Sequence, residues 1–286
     1  MILLVSQHSL KMKFSEKYII LKNKNKIFIR SWLPEQKAKK CILIIHGLGE
    51  HSGRYEDFGL RLTKKKIGIY SFDLPGHGNS DGRKGHIQKF SEFIDATEQV
   101  LIHIRRNNLE CQIVLFGHSL GGLIALNFLI DRESREIESA IISSPWIKLA
   151  IEVPKYLLNI QRVFKNLFPS FSLNNRINPQ DLSKDRKIIN EYINDKNVHD
   201  RISIKLYSEV VNSIQLVKEK SEKIKIRTLI YHGKNDRLIS YHGSEEINKK
   251  INNSEINILN NVYHEPHNDI EKDLVFDKIY KFLEIK

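Results

Sequence analysis

Three side chains in this sequence have the types that nucleophilic acyl transfer needs. Ser119 is the centre of Gly117-His118-Ser119-Leu120-Gly121, a G-x-S-x-G pattern. Asp236 follows in His232-Gly233-Lys234-Asn235-Asp236-Arg237, and His264 in Tyr263-His264-Glu265-Pro266-His267-Asn268-Asp269. A serine hydroxyl is a poor nucleophile until a base takes its proton, and the base must be oriented by a third group. Such a serine has to stand on a sharp strand-to-helix turn that exposes its oxygen. Glycines two residues to either side let strand and helix pack closely enough to hold that turn. The helix that begins there points its first amides at any negative charge forming beside the serine.

The elements that must position these residues are legible around them. Ile113-Val114-Leu115-Phe116 is a short run of β-formers, as a strand buried on both faces should be. Leu120, Leu123, Ile124, Leu126, Phe128 and Leu129 then predict a helix apolar almost all round, packed against a sheet. Thr228–Tyr231 reads as a strand leading into the Asp236 loop, and Ile256–Leu259 as a strand ending just before His264. Taken singly, Asp236 is a turn residue and His264 a surface residue. Placed at the carboxyl ends of later strands, in chain order Ser, Asp, His, they become partners for Ser119.

The rest of the chain has the same rhythm. Tyr18–Leu21 and Ile27–Leu33 read as a hairpin at a sheet edge, joined by Asn23-Lys24-Asn25. Cys41–Ile45 is a buried strand that ends in a glycine-bearing loop, His46 to Tyr55, able to turn backbone N–H groups towards a reacting centre. A helix follows over about 55–65, then a strand from Ile67 to Asp73 and a turn-rich loop to Gly82. Phe90, Phe93, Ile94, Leu101 and Ile104 mark one face of a long helix. Ile137–Ser144 supplies another strand, and a helix from about Asp269 to Ile285 closes the chain. Parallel strands alternating with helices imply an α/β fold with a mostly parallel, doubly wound sheet. Between Trp146 and Lys225 the pattern is helical and broken by Pro154, Pro169 and Pro179, with no good strand. The expected division is a core of residues 13–145 and 226–286 with a helical cap, 146–225, inserted above the sheet's carboxyl edge.

At 286 residues the chain can bury a large core as one domain with an insertion. The net charge of +12 raises nucleic acid or an anionic membrane as a partner. The basic residues are scattered among acidic ones, however, and no basic stripe, zinc spacing or RNA-binding signature appears, so nucleic acid is excluded. Cys41 and Cys111 each open a buried strand and are expected as two reduced core thiols in a cytoplasmic protein. The opening MILLV is too short for a signal-peptide core or a membrane span, and Met12 is an expected functional start because the patterned sequence begins just after it.

HGLGEHSGRY (46–55), FDLPGHGNSDGRKGHI (72–87), GHSLGG (117–122), YHGKNDRLIS (231–240) and YHEPHND (263–269) together resemble the monoacylglycerol lipase and lysophospholipase branch of the α/β-hydrolase family. The resemblance runs from about residue 14 to the C-terminus and touches the cap at Leu182-Ser183-Lys184-Asp185. It implies an α/β-hydrolase fold and a triad of Ser119, Asp236 and His264. It also implies an oxyanion hole from the backbone N–H groups of Leu48 and Leu120, and no metal or cofactor. Glu50, Arg54 and His267 match positions that hold the polar glycerol end of the substrate. His46, His77 and His118 are expected as hydrogen-bonded supports.

The implied activity is hydrolysis of a small lipid ester, a monoacylglycerol or a lysophospholipid, through an acyl-enzyme. A general carboxylesterase or peptidase on the same fold is the alternative, and a non-catalytic binding protein a more distant one, since binding alone gives no reason for a matched triad. Glu50 would repel a phosphate, and at i,i+4 it can pair with Arg54, which ranks monoacylglycerol first. In the cap, Val153, Leu157, Ile160, Phe164, Leu167 and Phe168 fall on one helical face. That face either packs over the core or forms an acyl tunnel with a basic lip that touches membrane peripherally.

Overall fold

Alternation of apolar side chains along the central strands builds two cores, one on each face of a sheet. The computed structural model describes residues 12–108, 110–132, 136–151 and 167–285. In chain order the elements are β1 (Met12–Ile20), β2 (Lys26–Pro34), β3 (Lys40–Ile45), α1 (Glu56–Lys64), β4 (Gly68–Phe72), α2 (Ser91–Asn107), β5 (Gln112–His118), α3 (Leu120–Asp131) and β6 (Ile137–Ser143). There follow β7 (Ser172–Asn174), α4 (Arg186–Asn194), β8 (Arg201–Ser203), α5 (Ile204–Lys220), β9 (Arg227–Gly233), α6 (Tyr241–Asn248), β10 (Ser254–Leu259) and α7 (Lys272–Phe282).

Eight strands form one sheet in the order β1-β2-β4-β3-β5-β6-β9-β10. The pairs from β4 to β10 are parallel, while β2 runs antiparallel to both β1 and β4. Along β3, Leu43 and Ile45 point to the face covered by Phe93 and Ile104 of α2 and Leu123 and Ile124 of α3. Ile42 and Ile44 point to the other, covered by Phe58 and Leu62 of α1 and Phe276 and Ile279 of α7. Helices on both faces make this a doubly wound sheet, as the resemblance implies. Each large side chain fully buried in these layers contributes about 1.5–3 kcal/mol, which is why the apolar runs dictate the strands. In the β3–β5 pairing Ile45 lies opposite Gly117, so the loop after β3 and the turn after β5 emerge side by side.

The fold departs from the sequence expectations in three places. β1 begins at Met12, not Tyr18, because it is an edge strand whose side chains are mostly exposed and therefore show no apolar alternation. Within 146–225, expected to lack strands, β7 and β8 pair antiparallel from Ser172 opposite Ser203 to Asn174 opposite Arg201. Three residues each are too few to show a period of two. In the apolar helical face assigned to this segment, Val153, Leu157, Ile160 and Phe164 lie outside the described residues, and Leu167 and Phe168 are exposed rather than packed on the core. Among the described residues no helix is long and apolar enough to cross a membrane.

The cysteines are the third departure. Cys41 and Cys111 are joined as a disulfide between β3 and the start of β5, their Cα atoms 6.1 Å apart, instead of standing as two reduced thiols. The two strands are hydrogen-bonded neighbours, which brings the side chains within bonding reach. A crosslink spanning 70 residues constrains the unfolded chain by about 4 kcal/mol in the loop-entropy picture. Thiol titration of denatured, unreduced protein is expected to find no free thiol, and reduction to lower the melting temperature. Two titratable thiols would show the bond to be absent in solution.

Candidate active site

The turn between β5 and α3 holds Ser119 in a backbone conformation few residues adopt, with φ 53° and ψ −115°. Such a conformation costs on the order of 1–3 kcal/mol and persists only where the surroundings fix it. Here the Ser119 N–H donates to the Ser143 carbonyl at 2.9 Å, and the Trp146 N–H donates to the Ser119 carbonyl at 3.0 Å. Gly121 lies so close to β3 that a Cβ would collide with the carbonyl oxygens of Ile45 and His46, and a Cβ on Gly117 would strike the Gly121 carbonyl. The spacing of the glycines in the motif is thus a spacing of backbone contacts.

Ser119, His264 and Asp236 come together from three strand ends. His264 Nε2 lies 3.0 Å from Ser119 Oγ, and His264 Nδ1 lies 2.6 Å from Asp236 Oδ2. All three are buried. Burial alone would lower the His264 imidazole, but the Asp236 carboxylate, with Glu265 and Glu50 behind it, holds it above its ordinary value. Burial likewise works against the Asp236 charge, and the adjacent His264 and His232 more than reverse it, leaving the carboxyl far below the usual range. Asp236 Oδ1 also accepts the N–H groups of Leu238 and Ile239, at 2.8 and 2.9 Å.

The loop after β3 lies against this group, with the position of a Cβ on Gly47 only 3.3 Å from Ser119 Cβ. His46 braces the loop: its Nε2 accepts the Leu74 N–H at 2.9 Å, so its Nδ1 carries the proton donated to the Gly47 carbonyl at 2.8 Å. Buried Glu50 accepts the Gly47 N–H at 2.5 Å and the Tyr55 hydroxyl at 2.9 Å. Arg54 pairs with Glu50 at 2.9 Å and grips Glu265 with both ends of its fork, at 2.6 and 2.8 Å. Leu120 opens α3, where backbone amides have no intrahelical acceptor. Leu48 lines the pocket with Ser119 and His264. That pocket is about 240 Å³ and is walled further by Glu50, Arg54, His118, Glu265, Ile177, Leu182 and Tyr192.

His267 departs from the sequence expectation. It does not line the pocket; it is 1 % exposed, stacked on Tyr55 at 5.3 Å and edge-on to Phe58 and Phe116. Burial, with Arg54 nearby, drives its imidazole down to about 4, so it is neutral. The α7 side of the core swallows it because Pro266–Asn268 coils into a short helical turn directly after the His264 loop. His118 donates or accepts at Ser143 Oγ (3.1 Å), and burial holds it well below its ordinary value. His77 contacts the Pro75 carbonyl at 3.1 Å. Both are buried, hydrogen-bonded groups beside the site.

Residues 36–271 match the family described as serine aminopeptidase, S33. The chain belongs to that family. Among its relatives, the monoglyceride lipase homolog of monkeypox virus is 28 % identical over 248 residues, 86 % of this chain and 89 % of that one. An uncharacterized abhydrolase domain-containing protein of Dictyostelium discoideum is 28 % identical over 258 residues, 89 % of this chain, which spans 27 % of that protein's length. The solved monoacylglycerol lipase of Paleococcus ferrophilus is 28 % identical, with a TM-score of 0.79 over 95 % of this chain and 98 % of that one. The protein is an α/β-hydrolase similar to monoglyceride lipases, and a serine ester hydrolase.

One member of this cluster escaped sequence reasoning. His232, fully buried at the end of β9, has its Nε2 3.0 Å from Asp236 Oδ2 and 3.1 Å from the Ile239 carbonyl. Both are acceptors, so Nε2 bears the proton and the Ser244 hydroxyl donates to Nδ1 at 2.7 Å. The available signal was its position four residues before Asp236, which alone does not distinguish it from a strand-end residue. The arrangement can withdraw a proton from Ser119 only while His264 is neutral. Because His264 is raised, activity should be lost as pH falls through a value above about 6.5, the ordinary histidine value. A pH profile of kcat/KM on a soluble ester checks this. An acid limb below that value would contradict the raised imidazole.

Proposed function

We propose that this protein hydrolyses the ester of a monoacylglycerol to fatty acid and glycerol. Ser119 Oγ attacks the ester carbonyl carbon while its proton passes to His264 Nε2, and Asp236 holds the opposite N–H of the imidazole. The carbonyl oxygen, now an anion, is received by the backbone N–H groups of Leu48 and Leu120. The tetrahedral intermediate collapses, the carbon–oxygen bond to glycerol breaks, and His264 returns its proton to the leaving alkoxide. Water then repeats the sequence on the acyl-enzyme and releases the acid and free Ser119.

The observation that carries the choice of substrate is the state of Arg54. A lone guanidinium in the pocket would favour a phosphate. Arg54 is instead lodged between Glu50 and Glu265, two buried carboxylates, with the Tyr192 ring 4.8 Å away on its other side. Its charge is already answered, and the net charge of the three groups is negative. Such a wall suits hydroxyl groups and repels the phosphate of a lysophospholipid.

We read residues 146–225 as the cap over this pocket, since Ile177, Leu182 and Tyr192 form part of its wall. Four large apolar side chains in one short segment of that cap, Leu167, Phe168, Phe171 and Leu173, are more than half exposed. They support peripheral contact with the membrane that holds the substrate. Phe171→Ser with Leu173→Ser should reduce activity on vesicle-borne monoacylglycerol at least several-fold more than on a soluble short ester. Equal losses on both would remove membrane contact from the proposal.

The central test is direct. A fluorophosphonate probe should label Ser119, and Ser119→Ala should abolish both labelling and hydrolysis, with turnover falling by about 10⁴ to 10⁶. In kcat/KM the wild-type enzyme should prefer a monoacylglycerol to lysophosphatidylcholine of the same acyl chain. Faster cleavage of the lysophospholipid would reverse the substrate assignment while leaving the chemistry of Ser119 in place.

A further inference from the structure

Glu265 follows His264 directly, walls the same pocket and seats its carboxylate in the Arg54 fork. It is 2 % exposed. Both of its oxygens are taken: Oε1 accepts Arg54 Nη1 at 2.6 Å, and Oε2 accepts Arg54 Nη2 at 2.8 Å and Asn268 Nδ2 at 2.9 Å. Arg54 in turn holds Glu50 Oε2 at 2.9 Å, and Glu50 Oε1 holds the Gly47 N–H at 2.5 Å. One unbroken line of charge-assisted bonds therefore runs from the residue beside the base to the residue beside Leu48. Backbone bonds anchor the same point from outside, since the Glu265 N–H donates to the Leu182 carbonyl at 2.8 Å.

We infer that Glu265 is a positioning residue that fixes the His264 loop against the loop carrying Leu48 and contributes negative charge facing the imidazole. The role presupposes the Ser119 chemistry proposed above. A buried ion pair is seldom a net source of stability, because desolvating the charges offsets their attraction. Its use is geometric: a bidentate fork admits one relative placement of the two loops. Base and oxyanion donors must both be set to within a fraction of an ångström for the attack to proceed.

His264 is faced by groups from every element around it. Asp236, with His232 behind it, comes from the β9 end; His118 from β5; Glu50 and Arg54 from the loop after β3; Glu265 and His267 from its own loop. Of these His118 and His267 are held neutral by burial, so the charges in play are Asp236, Glu50 and Glu265 against Arg54. Neutralising Glu265 removes one anion and leaves Arg54 with a single carboxylate. Both changes disfavour the imidazolium, so the acid limb of activity should move to lower pH.

The experiment uses the full chain with a soluble p-nitrophenyl ester and the fluorophosphonate probe. In Glu265→Gln, which keeps the shape but removes the charge and puts an NH2 donor where one oxygen now accepts, kcat should fall at least about 10-fold with KM within about twofold. The acid limb of kcat/KM should shift downward. Glu265→Ala, which severs the tie, should cost about 100-fold if it folds, and the Gln variant decides the matter if it does not. An acid limb that stays in place in Glu265→Gln, or an unchanged kcat, overturns the inference. Wild-type protein that the probe fails to label at Ser119 would instead overturn the triad chemistry, so the two failures are separable.

Discussion

The closest constraint in the molecule is the absence of a side chain at Gly121. The first turn of α3 rests against the carbonyl oxygens of Ile45 and His46, at a separation that leaves no room for a Cβ. Everything at the site follows from that contact. It brings the nucleophile turn against the end of β3, so that the parallel register placing Ile45 opposite Gly117 also places the loop of Leu48 beside Ser119. It lets strand and helix converge tightly enough to hold Ser119 at a positive φ. A larger residue would have to push α3 off the sheet, and with it the buried layer of Leu123 and Ile124.

Electrostatics at the site is a matter of which charges are left unanswered after burial. Every titratable group there loses solvent, and burial alone would neutralise all of them. Asp236 escapes because four N–H groups from His264, His232, Leu238 and Ile239 surround its two oxygens. Glu265 escapes because burial is outweighed by Arg54, which holds it far below the usual range. His118 and His267 have no carboxylate in hydrogen-bond contact and stay neutral. The same desolvation thus acts differently on five neighbouring groups, and of the three histidines only His264 is raised.

What could be read from the sequence was whatever repeats with a period or sits at a strand end. The apolar runs of β3, β5 and β9 gave the parallel sheet, and the positions of Asp236 and His264 after later strands placed them at the edge where Ser119 emerges. β1 was legible only in part because its side chains mostly face solvent and carry no pattern. β7 and β8 were too short. His267 was expected at the glycerol end of the substrate because nothing in the sequence shows that the chain after His264 turns inward beneath Tyr55. His232 was hidden for the opposite reason, a polar residue inside a strand whose partner, Asp236, lies on the next loop. The cysteines were each placed at the opening of a buried strand, but pairing depends on how their side chains meet, which spacing does not record.

The amides of His264 and Glu265 donate to the carbonyls of Asp181 and Leu182, at 3.4 and 2.8 Å, and Ser183 Oγ donates to the Asn268 carbonyl at 3.0 Å. The Lys184 N–H continues the seam to Asp269 Oδ2 at 3.2 Å. Mechanically, the stretch 181–184 belongs to the histidine and not to the segment in which it is encoded. For anyone exchanging the proposed cap between hydrolases to alter selectivity, the natural splice points would leave residues 181–184 with the recipient. A transplant that carried the seam along would exchange the mounting of the base together with the walls of the pocket.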